Sequence, residues 1–282
     1  MKFSLVTPVY NMEAYIAETI RSVIAQEGDF DLEYTLVNDG STDRSESIIL
    51  GIKKELETGT LRSGARNFKL SYVKQQNQGM YAAINNGFSA ADGDVLSWLG
   101  GDDKYAPGGL QAIANWFSSH PESNWAKGLC GFIDEHGKVI REGIYKTYYR
   151  DWLQKGIYGR ETYFVEQEST FWRAQLWRKV APIPVHLRSA GDYWLGIQFA
   201  KHASLDSIHE RTTYFRIRPG QISSQNAKYR GEQQSIMPKR SLTAYKVRLF
   251  SILSNKIPSL SPVWHVLYKC MFPTRILPPE TK

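Results

Sequence analysis

The chain has 282 residues, 42% of them hydrophobic, and a formal net charge of +7. That apolar share excludes a disordered chain, and the length admits one large α/β domain or a domain with an appendage. The charge is uneven: residues 228–282 hold ten Lys/Arg against two Glu, while the preceding 227 hold 25 basic and 26 acidic residues, which excludes a nucleic-acid channel through the body and gives the tail an anionic partner.

In chain order, Lys2 to Val6 reads as a strand ended by Thr7-Pro8. Asn11 is placed to cap a helix over Met12 to Gln26, with apolar residues at Ile16, Ile20, Val23 and Ile24. Leu32 to Val37 is a second strand, followed by Asn38-Asp39-Gly40 and a helix through Ile48-Ile49. Residues 57–67 form a surface loop, Leu70 to Val73 a third strand, Gly79 to Ala91 a helix and Val95 to Leu99 a fourth strand. Helices are predicted from Gly108-Gly109 to Ser119, over 173–180 and over 191–203, and a strand over 211–217. The β-α alternation predicts a mostly parallel central sheet flanked by helices. Cys130 and Cys270 fit neither a disulfide framework nor a metal site. No run reaches the roughly 18 apolar residues of a membrane span. Met1-Lys2-Phe3 leads straight into a strand with no signal-peptide pattern, so a cytoplasmic protein is expected.

Asp102 and Asp103 follow the fourth strand across Gly100-Gly101. Ligands of open α/β sheets bind at strand C-termini, and two adjacent carboxylates there suit a hard divalent cation carrying phosphates. A solvated Asp-Asp turn is the plain alternative. Asp39 ends the second strand and could take a base imide or a ribose hydroxyl, or form an Asx turn; Asp43 is the better candidate for that capping part. The first turn, Thr7-Pro8-Val9-Tyr10-Asn11, lacks the glycines of a dinucleotide fingerprint or a P-loop, which excludes both.

Val6-Thr7-Pro8-Val9-Tyr10-Asn11, Val37-Asn38-Asp39-Gly40-Ser41-Thr42-Asp43 and Leu99-Gly100-Gly101-Asp102-Asp103 together resemble the three ordered signatures of family-two glycosyltransferases with the GT-A fold. Asn77 to Phe88 and Gln167 to Arg173 resemble the bacterial polysaccharide branch of that family. The resemblance covers roughly residues 1–225. It implies a GT-A type nucleotide-diphospho-sugar transferase fold over 1–230, with a nucleotide-binding half to about 105 and an acceptor-binding half beyond it. It also implies an inverting, metal-dependent transfer from a nucleotide-diphospho-sugar to a growing, lipid-linked surface glycan. By it, Thr7, Pro8, Val9, Tyr10, Asp39, Gly79 and Asp102 hold the donor nucleotide. Asp103 is the direct ligand of a divalent cation, Mn²⁺ or Mg²⁺, with Asp102 assisting. Relatives often have a further Asp where this chain has Gly100, so the acidic cluster is thinner and donor preference open.

The resemblance also gives Asp192 as the general base that takes the acceptor hydroxyl's proton, with a plain helix cap as the alternative. Glu168, with Gln167 and Trp172, then lines the acceptor sugar site, and Glu168 is a rival base. Arg216, Arg218 and Gln221 fall in a late loop near the donor phosphates; Arg218 either pairs with the diphosphate or is a surface charge. The aromatic residues of 145–177 read mostly as core, with Trp98 and Trp172 the first candidates to stack on sugars.

Residues 231–282 read as a helical, basic, amphipathic extension with Leu242, Tyr245, Leu249, Ile252 and Leu253 at helical spacing. It suits the cytoplasmic face of an inner membrane, or else packing on its own domain or a second subunit. Two rival functions share parts of the pattern. A sugar nucleotidyltransferase wants a Gly-rich first turn that Thr7-Pro8-Val9-Tyr10 does not supply. A non-catalytic carbohydrate- or nucleotide-binding protein has no need of Asp102, Asp103 and Asp192.

Overall fold

A computed structural model of the chain describes residues 1–161, 164–221 and 226–237, together with 242, 245–247 and 249. Its elements in order are β1 (Lys2–Val9), α1 (Ile16–Ile24), β2 (Gly28–Asn38), α2 (Ser45–Glu57), β3 (Ala65–Lys74), α3 (Met80–Phe88), β4 (Val95–Trp98), β5 (Lys104–Tyr105) and α4 (Gly109–Ser119). There follow β6 (Trp125–Ile133), β7 (Val139–Arg141), α5 (Arg150–Gln154), a 3-10 turn (Gln167–Ser169), β8 (Thr170–Arg173), α6 (Ala174–Arg178), α7 (Gly191–Ala200), β9 (Asp206–Arg216) and α8 (Asn226–Ile236).

The strands join in one sheet of order β3-β2-β1-β4-β8-β6-β9-β5, with β7 on β6. The first four are parallel, as the alternation predicts. The second half is mixed: β8 runs antiparallel to both β4 and β6, and β6 is parallel to β9. The order 3-2-1-4 puts a topological switch between β1 and β4, where the chain leaves in opposite directions and a crevice opens at the strand ends.

Alternation along the strands divides the core between the two sheet faces. Phe3, Leu5, Leu32, Tyr34, Val95 and Leu99 pack with α1, α2 and α4, while Val6, Val37, Leu96 and Trp98 pack with α3 and the later helices. On α1, Ile16, Ile20, Val23 and Ile24 are at most 1% exposed. Each such side chain contributes about 1.5–3 kcal/mol when buried. Pro8 is tolerated inside β1 for a geometric reason. Val6 accepts the Leu99 N–H at the end of β4, so Pro8, two residues on, faces the side of β1 that β4 no longer covers.

Two differences from the sequence reading concern ends. Helix α1 begins at Ile16, and Asn11 does not cap it; with φ 53° it turns the chain, and its Oδ1 accepts the Thr42 N–H at 2.8 Å. An Asn adopts this left-handed conformation at little cost. Helix α8 spans residue 230, so the expected boundary there falls inside a helix. Val247 is 3% exposed and belongs to the core cluster of α3 and α5. Ile252 and Leu253 lie outside the described residues.

Candidate active site

Three loops meet at the switch point. The turn after β1 is bound to the turn after β2 through Asn11 N–H to Ser41 Oγ (3.1 Å) and Met12 N–H to Ser45 Oγ (2.8 Å). Asp43 Oδ2 accepts the Glu13 N–H and its Oδ1 the Ser45 N–H, both at 2.9 Å, so Asp43 has the capping part expected of it. Of the first-turn residues expected at a nucleotide, only Tyr10 reaches solvent, at 46% exposure. Thr7, Pro8 and Val9 are buried, and Thr7 Oγ1 accepts the Tyr34 hydroxyl at 2.9 Å. The side chains of these three shape the turn from beneath.

Asp39 is 3% exposed and its two oxygens are engaged: Oδ1 accepts Gln75 Nε2 (2.8 Å) and the Gln78 N–H (2.9 Å), and Oδ2 the Gly79 N–H (2.8 Å). It therefore fastens the loop entering α3 to the end of β2. Gly79, at φ +98°, is where only glycine is relaxed, and a Cβ there would meet Arg188 Nη1 at 2.2 Å. Its N–H belongs to Asp39, which removes it as a direct nucleotide donor; a ligand role for Asp39 is narrowed to a lone pair left beside those three contacts.

The two acids of the pair have different surroundings. Asp103 is 3% exposed, and its Oδ1 accepts the Arg216 N–H at 2.8 Å. Burial first, then the charges of Asp102 and Glu168, pushes its carboxyl well above the usual carboxylate range. Asp102 is the more open partner, and its Oδ2 meets Arg218 Nε at 2.6 Å. Arg218, expected at the diphosphate, thus lies against Asp102, and both Arg216 and Arg218 sit 5.1 Å from the Tyr15 ring centroid. Gln221 Oε1 fixes the Arg218 N–H at 2.6 Å.

A point beside Gly100 is bracketed by both acids. A Cβ placed there would meet Asp103 Oδ2 at 2.6 Å and Asp102 Oδ1 at 3.1 Å. Two converging hard oxygens beside a missing side chain fit a divalent cation completed by phosphate oxygens. They make no cage by themselves: among the described residues no group of three or more His, Cys, Asp or Glu could hold an ion.

Across the sheet, Asp192 stands in the first turn of α7 and Glu168 in the 3-10 turn before β8. Asp192 lines a mostly apolar, aromatic-rich cavity with Gln167, Trp172, Tyr193 and Tyr229. Burial raises Asp192 to about 6, partly offset by hydrogen bonds from the Tyr193 N–H and the Tyr229 hydroxyl. Burial also raises Glu168, to about 8, and the Asp192 and Glu166 charges add to it. Near pH 7 the first is ionised and the second protonated.

Trp98 and Trp172 are corrected as sugar platforms. They are 3% and 0% exposed, meet edge to face at 5.4 Å, and Trp172 is further packed by Phe88, Trp177 and Phe199. Trp172 reaches the cavity as a wall, not as an open ring face. The sequence reading missed Tyr81, Tyr229 and Glu232 around Asp192. No local signal marks them, since they lie 37 or more residues from it and on other helices.

Residues 4–171, more than half of the chain, match the glycosyl transferase family 2 model. The chain belongs to glycosyl transferase family 2. An uncharacterised glycosyltransferase of Nostoc sp. is 28% identical over 83% of this chain and 70% of its own length. The minor teichoic acid biosynthesis protein GgaB of Bacillus subtilis is 33% identical over 42% of this chain, which spans 12% of GgaB. Among solved structures, S. aureus TarS 1–349 in complex with UDP-GlcNAc aligns with TM-score 0.62 and 19% identity, covering 88% of this chain and 70% of that one. GalNAc-T7 with UDP, GalNAc and Mn²⁺ aligns with TM-score 0.57 and 13% identity over 77% of this chain and 44% of that one. These likenesses establish the GT-A fold. The family makes the protein a glycosyltransferase.

Proposed function

We propose that this family 2 glycosyltransferase moves a sugar from a nucleotide-diphospho-sugar to a hydroxyl of a cell-envelope glycan, with inversion at the anomeric carbon. The observation that carries the reading is the split between Asp192 and Glu168, two carboxyls that their surroundings set to opposite protonation states near neutral pH. The donor lies in the crevice between β1 and β4, below Tyr10 and beside Asp102. Asp102 and Asp103, beside Gly100, would hold a divalent cation, which would supply charge neutralisation for the departing diphosphate. Arg218 already faces Asp102 and retains guanidinium N–H groups for a phosphate.

On the acceptor side, Asp192 accepts the proton of the attacking hydroxyl through an oxygen that faces the cavity. The oxygen–carbon bond forms on the face of the sugar opposite the diphosphate. Glu168, protonated, donates a hydrogen bond to the acceptor and does not compete for that proton. The UDP-GlcNAc bound in the TarS complex and the part of GgaB in minor teichoic acid biosynthesis support a uridine nucleotide donor and an anionic wall polymer.

The extension fits the same picture. Leu242, Tyr245 and Leu249 are 72%, 55% and 59% exposed at helical spacing, while Val247 is buried. Val247 packs on the domain, and we read the exposed Leu242, Tyr245 and Leu249 as the side met by a bilayer surface rich in anionic lipid. Liposome co-sedimentation checks it: Leu242→Glu with Leu249→Glu releases the protein from anionic vesicles, and unchanged binding removes the contact.

The central test pairs binding with turnover. Calorimetry with nucleoside diphosphates gives Mn²⁺-dependent binding, and Asp192→Asn keeps that binding while transfer falls about 10²–10⁴-fold. Undiminished transfer by Asp192→Asn would falsify the base assignment.

A further inference from the structure

The start of α7 is held by a residue far along the chain. Glu232, on α8, accepts the backbone N–H groups of Arg188 (2.8 Å), Ser189 (2.8 Å) and Ala190 (2.9 Å). These donors precede or cap the helix, where no intrahelical carbonyl can take them. A carboxylate gathering three of them makes charge-assisted bonds stronger than neutral ones. Three residues earlier on the same face of α8, the Tyr229 hydroxyl donates to Asp192 Oδ1 at 3.4 Å. From α3, the Tyr81 hydroxyl donates to the Ser189 carbonyl (3.0 Å) and accepts the Asp192 N–H (3.3 Å). Asp192 Oδ1 also takes the Tyr193 N–H at 2.8 Å. Among the described residues nothing pairs with Oδ2.

We propose, resting on Asp192 as the base, that α8 is a clamp on the catalytic helix: Glu232 and Tyr229 are positioning residues that fix the first turn of α7 and leave Asp192 Oδ2 for the acceptor hydroxyl. Neither residue touches the reacting atoms. Removing either lets the carboxylate swing away from the line of attack, and reaction rates fall steeply with such misplacement. The groups facing Asp192 are Tyr81 from α3, Glu168 from the 3-10 turn, Tyr193 from α7, and Tyr229 and Glu232 from α8. The two clamp residues act on the base with opposite sign: the Tyr229 hydrogen bond favours its ionised form, and the Glu232 charge opposes it.

That opposition makes the test specific. In the full chain, Glu232→Gln and Tyr229→Phe are each expected to lower kcat about ten- to a hundred-fold, with KM for the donor unchanged. The acid limb of the pH–rate profile moves to lower pH in Glu232→Gln and to higher pH in Tyr229→Phe. A merely structural loss moves neither limb. Limbs that stay put, or shift in the same direction, overturn the clamp. If Glu232→Gln does not fold, Tyr229→Phe, which deletes one hydroxyl, decides the matter alone through its limb. Failure of the base assignment is read separately: Asp192→Asn then retains transfer, whatever the α8 variants do.

Discussion

On the proposed donor and acceptor sides carboxylates serve in two ways, as fasteners at Asp39 and Asp43 and as titrating groups at Asp192 and Glu168. The buried Asp103 beside the donor crevice has its pKa raised as well. At the donor end, Asp39 and Asp43 have both oxygens filled, largely by backbone N–H groups, and hold three loops together. At the acceptor end, Asp192 and Glu168 are short of such donors and stand at raised pKa. Saturation makes a rigid frame whose charge is committed. Partial desolvation leaves a carboxyl whose proton can be exchanged, which a base requires.

The largest expected effect that breaks this comparison is structural. Asp39→Ala removes the acceptor of the Gln78 and Gly79 N–H groups in a loop that is partly open to water, at a cost of about 0.5–1.5 kcal/mol for each. The melting temperature should drop by several degrees and nucleotide binding should weaken; an unaltered melt would mean that Asp39 is not the frame described. Next comes Gly100→Ala. Its Cβ would enter the space between Asp103 Oδ2 and Asp102 Oδ1, and a roughly tenfold loss of Mn²⁺-dependent nucleotide affinity, about 1.4 kcal/mol, is expected in calorimetry. Equal affinity would place the cation elsewhere. Thr7→Val removes the acceptor of a buried Tyr34 hydroxyl and should cost about 1 kcal/mol of stability by chemical denaturation with donor affinity untouched. A selective loss of donor affinity would return Thr7 to the ligand surface.

The smallest effect is the most discriminating. Since Glu168 is protonated below about 8, Glu168→Gln should transfer at close to the normal rate at pH 7. Wild-type rate should rise with pH through about 6, as Asp192 loses its proton, and decline through about 8, as Glu168 does. In Glu168→Gln the rise stays and the decline disappears. Stability has the same sign. The folded pKa of Glu168 lies above its ordinary 4.5, so its contribution is complete below pH 4.5 and is lost as pH climbs to about 8. Loss of transfer by Glu168→Gln at pH 7 would make Glu168 the base.

Much of the frame was legible because it is local. The apolar period of α1, the strands before Asp39 and Asp102, and the glycines at 79 and 100 are written within a few residues of where they act. The roles of Trp98 and Trp172 were not, because a tryptophan in a strand reads alike whether its faces meet a sugar or Phe88, Trp177 and Phe199. The unlike surroundings of Asp102 and Asp103 were hidden too, since they depend on which of them β9 reaches with the Arg216 N–H.

The sequence by itself determined the family, the parallel β1–β4 core and the candidate carboxylates, since hydrophobic period and turn chemistry act over a few residues. Only the tertiary structure decided which carboxylates are tied off and which are left to titrate. That outcome depends on burial and on hydrogen bonds across dozens of residues, such as Glu232 reaching back to Arg188, Ser189 and Ala190. No short-range pattern encodes such a distance.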